Sequence, residues 1–532
     1  MSNIITNTDP GNFLTDGVYI DQSLSPPATP GGAPTGRIAI VGTWNYGPVD
    51  VPFRFTDAPS MYNAAGNGTL LPHSGAREAL SGMPECIDYL GVRVTDDTDT
   101  PATMLALDIA AGTLVSFVNK LTGSYPNNVA SDRVDLKSGT ISGSMSLNPV
   151  FRLTLNFPNA PAEIFDNIIG YAALGNPFDA ATFKANVLAV VNGTIPNVAG
   201  SSRWTAVAGA GTALPVLATN QFATGGTDGA SGVTTADLVG QDGIVGRTGI
   251  YALEGMVQAA QVIIAGLVDP TVAQTIAAFA VAQNCITWEA FPVNTATDTA
   301  VGEIASNDMV NSSLALAMDW DYAFDPIAGA TILVSPIGKL AGAIAAQPAY
   351  QYPGNQQVGG VVGISSTERI VGGISTISQA EAGERESNGL MYLGFMPRNQ
   401  RGPQLGLPFA LMSDGSLVSD VRMLKSISFD LQNILGQFVG SMISTNPNDP
   451  TLLAARDAVD AYFDGLKNGP PQKISNYTNI LNSTNNTPST IAKGFLIANI
   501  AVQTLSAARF VLAALQVGST VQIIAQTQTN GG

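Results

Sequence analysis

Gln261-Val262-Ile263-Ile264-Ala265-Gly266, the segment Thr271 to Asn284, and Ile286-Thr287-Trp288-Glu289-Ala290-Phe291 together decide the architecture. The first run is apolar almost without a break and stops at glycine, as a strand buried on both faces does. The second predicts a helix, and the third a further buried strand. Strand, helix and strand in that order predict a right-handed crossover in a parallel sheet. Ile332-Leu333-Val334 reads as one more strand. Far upstream, Arg37-Ile38-Ala39-Ile40-Val41-Gly42 has the same continuous apolar texture, so the core is assembled from distant parts of the chain.

Outward from these runs the texture changes. Residues 1–16 are polar and rich in Asn and Thr, and predict an arm. Gly17-Val18-Tyr19-Ile20-Asp21-Gln22 is a short strand candidate. The Pro/Gly linker Ser25-Pro26-Pro27-Ala28-Thr29-Pro30-Gly31-Gly32-Ala33-Pro34 cuts it off, and that linker can be neither helix nor central strand. Ser74 to Leu90 predicts a helix and Leu90-Gly91-Val92-Arg93-Val94 a strand. From about 104 to 220, stretches such as Val134-Asp135-Leu136 and Phe151 to Phe157 alternate in period two between Gly, Asn and Ser turns, which predicts an inserted, mostly β domain. Past 420 come two amphipathic helices. Leu424, Ile427, Leu431, Ile434, Leu435, Phe438 and Met442 stripe the first; Leu452, Leu453, Val459, Tyr462, Phe463 and Leu466 stripe the second. Asn499 to Arg509 predicts a strand. Ser519 to Thr527 alternates again and closes the chain with Val521, Ile523 and Ile524 as its apolar members.

Composition narrows the function. Hydrophobic residues make up 45% of the 532, enough for a large core, yet charged residues are only 12%, against about 25% in ordinary soluble domains. A neutral surface resists self-association poorly, which suits a subunit that buries itself against copies of itself. The net charge is −17 and the 23 basic residues are scattered, so no cluster exists to neutralise phosphates and no direct nucleic-acid partner is expected. An acidic surface also repels anionic lipid. The most apolar region, Phe495 to Val517, is interrupted by Asn499, Gln503, Ser506, Arg509 and Gln516, so no membrane insertion is expected. Two cysteines, Cys86 and Cys285, exclude a disulfide scaffold by count and predict buried thiols, a single bridge being the alternative. The opening residues lack a basic region and an apolar stretch, so the expectation is assembly in a cytoplasm.

Catalytic motifs are missing. His73 is the sole histidine and would have to serve any Ser-His-Asp arrangement, yet Leu71-Pro72-His73-Ser74-Gly75 predicts a surface turn. Gly225-Gly226-Thr227-Asp228-Gly229 places Thr where a nucleophile elbow needs Ser, and reads as a turn. Zinc needs several His or Cys ligands, and phosphate loops need their glycine signatures; neither is present. Asp96, Asp97 and Asp99 are followed by Pro101 and Ala102, which do not complete a calcium loop, so a solvated loop is expected. Glu381-Ala382-Gly383-Glu384-Arg385-Glu386 reads as a solvated run or an intersubunit ion-pair site. No catalytic residue, cofactor or metal is assigned.

The order of these segments resembles contractile phage tail sheath proteins, the family shared with R-type pyocins and related injection machines. The opening is similar: Gly17-Val18-Tyr19-Ile20, a Pro-rich stretch, an apolar strand, then Gly42-Thr43 and Gly47-Pro48-Val49. Gly91-Val92-Arg93-Val94 resembles the strand before the family's inserted domain. Gly123 to Asn128, Phe151 to Ile168 and Gly225 to Gly229 fit its turns and strands. Val421-Arg422-Met423-Leu424, Asn485-Asn486-Thr487 with Gly494 to Val502, and Val521 to Ile524 fit its C-terminal third. Ser335 to Gly342 matches the family's Pro-Pro-Ser-Gly-x-x-Ala-Gly pattern only in part. Met391-Tyr392-Leu393-Gly394-Phe395 replaces a Trp-rich segment.

The resemblance implies an α/β and β multidomain chain. Its parts are an N-terminal arm and strand (1–24), a non-catalytic subtilisin-like α/β core (25–103 and 221–345), an inserted mostly-β domain (104–220), a C-terminal α+β sheath domain (346–517) and a C-terminal arm (518–532). It further implies stacked six-membered rings around a tail tube protein, with baseplate and tail terminator partners. Val18, Tyr19, Ile20, Val521, Ile523 and Ile524 are then the candidate strands exchanged between subunits. Another self-assembling viral shell or surface-layer protein, and a hydrolase on the α/β core, are the alternatives; closed shells or ester hydrolysis would mark them.

Overall fold

The computed structural model describes residues 33–507, apart from 84–85, 87, 128–129, 143–144, 197, 218–220, 245, 360–362, 366–369, 372–373, 376, 396–404 and 447. The apolar runs form one seven-stranded sheet. Its spatial order is Phe53–Phe55, Asp88–Arg93, Arg37–Gly42, Gln261–Ile264, Ile286–Ala290, Leu314–Met318 and Leu390–Tyr392. The short Phe53–Phe55 edge is antiparallel and every other pairing is parallel. The chain therefore starts at Arg37–Gly42, builds to one side, and later returns to build on the other. Ile40 pairs with Gly91 on one flank and Ile263 on the other.

Burial on both faces explains the unbroken apolar texture of these strands. Gln261 and Trp288 point to one face: Gln261 Nε2 donates to Ala341 O at 3.0 Å, and Trp288 Nε1 to Gln261 Oε1 at 3.0 Å. Thr287 points to the other, its hydroxyl donating to Ile276 O at 3.3 Å. Helix Ile337–Ala345 thus covers the first face and helix Ala273–Ala282 the second. Helix Gly75–Gly82 lies tightly along Ile337–Ala345 through glycines. A Cβ on Gly342 would fall 2.7 Å from Gly82 O, and one on Gly338 2.4 Å from Glu78 O.

Three expectations change here. The helix from Ser74 ends at Gly82 and does not reach Leu90, because Pro84 offers no N–H to continue it; the next strand opens at Asp88. Ile332-Leu333-Val334 does not join the main sheet. It belongs to Ala330–Val334, the antiparallel partner of Trp320–Asp325 in a separate hairpin. The sixth core strand is instead Leu314–Met318, which the sequence reading passed over.

Residues 101 to 222 form two further antiparallel sheets. One is Pro101–Leu107, Thr113–Thr122 and Trp204–Ala208. The other is Gln221–Phe222, Ala130–Ser142, Met145–Phe157 and Ala160–Ile169. With helix Ala180–Val191 they enclose a core of their own around Phe117, Phe151, Phe183 and Trp204. Both ends of this stretch return to one place, Thr100 bridging Thr227 and Thr103 bridging Thr224. Arg93, wholly buried at the end of its core strand, fastens that junction. Its guanidinium donates to Gly47 O (2.5 Å), Thr122 O (3.0 Å), Thr122 Oγ1 (2.8 Å) and Asp228 O (2.9 Å), and faces Asp99. The acidic loop is therefore not merely solvated: Asp99 is the counter-ion of a buried arginine. Glu381 to Glu386 is likewise no solvated run. It lies in helix Gln379–Ser387, where fully buried Arg385 pairs with Asp319 at 2.5 Å and lies over the Tyr392 ring.

The C-terminal part pairs helices Val418–Gly436 and Pro450–Asn468 over a third core that includes Ile427, Leu431, Val459 and Phe463. The first helix departs from its expected stripe. Its opening half is enclosed all round, with Arg422 donating to Thr35 O and Gln347 O and Lys425 to Ser313 Oγ. Leu424 is only half-buried, and Met442 lies beyond the helix end, 90% exposed.

Burial has a pH consequence. It pushes Glu78 and Asp132 each up to about 7, and Glu289 up to about 9. The folded chain thus holds protons that the unfolded chain has released above about pH 4–5. Stability is fullest below that range and declines as pH rises through 7, by up to about 1.4 kcal/mol per pH unit for each group. The thermal midpoint should be higher at pH 5 than at pH 8; a midpoint that rises across this interval would contradict the assignment.

Candidate assembly site

Strand Ile474–Ile480 pairs antiparallel with Asn499–Thr504 to make a two-stranded ribbon. Neither strand contains a charged residue. Tyr477, Ile500 and Val502 point inward and pack on the helices; the Tyr477 ring stacks on Phe463 with centroids 5.1 Å apart. Tyr477 Oη donates to Asp464 Oδ1 at 3.0 Å, and Asn479 Nδ2 to Asp460 Oδ1 at 3.1 Å. Burial, with Asp464 and Asp460 adding to it, pushes the Tyr477 hydroxyl up to about 12, so it stays a donor. The outward face carries Asn476, Thr478, Ile480, Asn499, Ala501 and Gln503, all exposed.

Two asparagine amides set the start of the second strand. Asn485 Nδ2 and Asn486 Nδ2 each donate to Ile497 O at 2.8 Å, and Ile497 N donates to Asn486 Oδ1 at 2.6 Å. The ribbon is therefore fixed at its turn and along one face. Among the described residues neither strand has a second neighbour, so each presents an open edge of backbone N–H and C=O groups. Such edges are templates for a strand from another chain.

Val18, Tyr19 and Ile20, and Val521, Ile523 and Ile524, lie outside the described residues. What the structure adds is a two-stranded ribbon with open edges, of which Ile474–Ile480 is not among the strands that the sequence predicts. Its signal was Ile474-Ser475-Asn476-Tyr477-Thr478-Asn479-Ile480 between the Pro470-Pro471 and Asn482 turns, a polar alternation weaker than the core runs. The expected strand Asn499 to Arg509 is observed as Asn499–Thr504.

The crevice beside Arg37–Gly42, where strand order reverses, is where sheets of this kind hold ligands. Here Glu78 occupies it, accepting from Gly266 N (3.2 Å) and Gly338 N (2.9 Å) at the start of helix Ile337–Ala345. His73 lies nearby, half-buried, its Nδ1 3.0 Å from Ala265 O. Cys86 and Cys285 are buried and not bridged to one another, Cys86 Sγ donating to Gly36 O at 3.1 Å, and burial pushes Cys285 up to about 12. Among the described residues no group of three His, Cys, Asp or Glu could hold a metal ion, and no helix is long and apolar enough to cross a membrane.

Neither a protein-family model nor a curated protein sequence matches this chain. Solved structures do. The sheath tail protein of Listeria innocua superposes with a TM-score of 0.56 at 15% identity, over 90% of this chain and 94% of that one. The sheath tail protein of Desulfitobacterium hafniense gives 0.53 at 12% identity, over 87% and 93%. The fold of this chain is that of a sheath tail protein along nearly its whole length.

Proposed function

We propose that the chain is the structural sheath subunit of a contractile tail. It polymerises into a helical tube of stacked hexameric rings around a tail tube protein, and contracts to drive that tube through a host envelope. The observation that carries this reading is the open-edged ribbon on a sheath fold. Donated strands Val18-Tyr19-Ile20 and Val521 to Ile524 complete the ribbon of a neighbour, and the linkers behind them let subunits slide while staying joined. Extended and contracted sheaths are two packings of one mesh, related by rigid-body movement of its subunits. The α/β core, divided as 25–103 and 221–345, is subtilisin-like and non-catalytic; 346–517 carries the ribbon, and 1–24 and 518–532 are the arms. Baseplate and terminator proteins bound the tube in a virion tail assembled in the host cytoplasm. Glu78 filling the switch-point crevice supports the non-enzymatic reading.

Purified protein is expected to form hollow tubes in negative stain without nucleotide or metal. Closed shells, or strict dependence on added nucleotide, would contradict the proposal. Residues 104–220 are proposed to project outward as an insert, because both ends return to the Thr100–Thr227 junction. Replacing them with a short Gly/Ser linker should leave tube formation possible. Arg93 would keep Gly47, Asp99 and Asp228 in such a chain and lose only Thr122. Complete loss of tubes from a still-folded core would show that the insert makes essential contacts.

A further inference from the structure

We propose that Lys339 and Asp321 are joined within the chain by a covalent amide bond, formed with loss of one water, and that Glu78 relays the protons this step moves. The bond belongs to the core and does not depend on the sheath reading.

Three elements bring the groups together. Asp321 lies in strand Trp320–Asp325, Lys339 in helix Ile337–Ala345 and Glu78 in helix Gly75–Gly82. Alternation along the strand leaves Tyr322 and Phe324 exposed and turns Asp321 inward. Lys339 Nζ donates to Asp321 Oδ2 at 2.5 Å, and the two side chains are only 4% and 0% exposed. The second carboxylate oxygen, Asp321 Oδ1, is buried and has no hydrogen-bond partner. Glu78 accepts at 2.9 Å from the backbone N–H of Gly338, the residue before Lys339. Burial pushes Glu78 up to about 7, and the nearby charge of Asp321 adds to it, so a proton is held beside the pair near neutral pH.

An ion pair is a poor final state for this site. Both charges have left water, and Oδ1 is uncompensated. A dry site disfavours both charged forms, and burial raises the proton affinity of Asp321. One proton passing from Nζ to the carboxylate gives a neutral amine beside a neutral acid, the two reactants of an amide condensation. The amine attacks Asp321 Cγ and the C–N bond forms. Glu78 gives its proton to the departing hydroxyl, the C–O bond breaks, and water leaves. Glu78 then takes a proton back from the nitrogen, which keeps one hydrogen. Nothing is oxidised or reduced, and no co-reactant is consumed. Groups held in contact react as if at a concentration on the order of 10⁵ M or more. The released water has room, because Glu78 also lines a cavity of about 270 Å³ whose wall includes Leu70, 63% exposed.

Lysine sets this pair apart. Arg93 with Asp99, Arg385 with Asp319 and Arg77 with Asp325 are also enclosed, but arginine keeps its charge and offers no free amine. The bond ties the hairpin that carries Tyr322 and Phe324 to a helix of the main sheet, linking positions 18 residues apart.

The decisive measurement needs no variant. The purified chain should weigh one water less than its sequence. Trypsin should not cut after Lys339, so Thr248 to Arg369 should appear as one peptide that carries the deficit. Chymotrypsin, which cuts after Tyr322 and Phe324, should leave the pieces bearing Asp321 and Lys339 joined; water lost within a single aspartate would let them separate. Lys339→Arg keeps an ion pair and should restore the full mass. Glu78→Gln keeps an acceptor for Gly338 N and should be recovered mostly at full mass. A wild-type chain still at full mass after days at neutral pH, or a deficit that persists in Lys339→Arg, would overturn the bond. A Glu78→Gln chain as light as wild type would overturn the relay.

Discussion

Arg93→Met is expected to cost about 3–5 kcal/mol, the loss seen when one partner of a buried, hydrogen-bonded charge network is removed. The reasons lie in its partners. Gly47 O, Thr122 O and Asp228 O each take a hydrogen bond from this one guanidinium, and Asp99 would be left facing an apolar side chain. The three carbonyls come from the core, the first β-sheet beyond it and the returning loop at Asp228, so one substitution loosens all three. Lysine cannot substitute, because a single ammonium cannot span the directions that the planar fork reaches. Arg93→Lys should therefore fall near Arg93→Met. Denaturant midpoints and proteolysis around 96–100 and 225–230 would report the effect. A loss below about 1 kcal/mol, the range of an exposed ion pair, would show that the junction holds without its clasp.

Removal of residues 518–532 is expected to abolish tubes and leave a folded monomer. Val521, Ile523 and Ile524 would otherwise fill an edge that Ile474–Ile480 or Asn499–Thr504 leaves open. Ile523→Pro is the finer version. It deletes one ladder donor and should weaken each pairing by about 1–3 kcal/mol, the cost of a buried group left unsatisfied. A loss repeated at every subunit prevents a polymer even where a single contact would survive. Tubes of wild-type stability from the truncated chain would remove this terminus from the proposal.

How much of this was legible depended on how each segment is buried. Arg37–Gly42, Gln261–Ile264 and Ile286–Ala290 read correctly because a strand covered on both faces has to be apolar throughout. Leu314–Met318 is covered in the same way but has alternating alanines, and it escaped notice. Ile332-Leu333-Val334 misled, since an apolar triplet carries no record of which sheet it joins. Arg385, Arg422 and Lys425 are fully enclosed, yet nothing local distinguishes a buried cation from a surface one; the partners Asp319, Thr35 and Ser313 are distant in sequence. The ribbon was half visible, because its outward side chains are uncharged, mostly polar but with Ile480 and Ala501 among them, and blur the period-two pattern.

The ribbon's two strands fall short of the three or more that sustain a sheet by themselves. In a free subunit its edges are solvated and its pairing is supported from one face alone. Under the proposed strand exchange, each strand that arrives would improve the site for the next. Growth on an existing end would then be far easier than a first encounter between free subunits, so polymerisation is expected to show a lag that preformed tube fragments abolish. The seed, and not the supply of subunits, would decide where and when a filament starts.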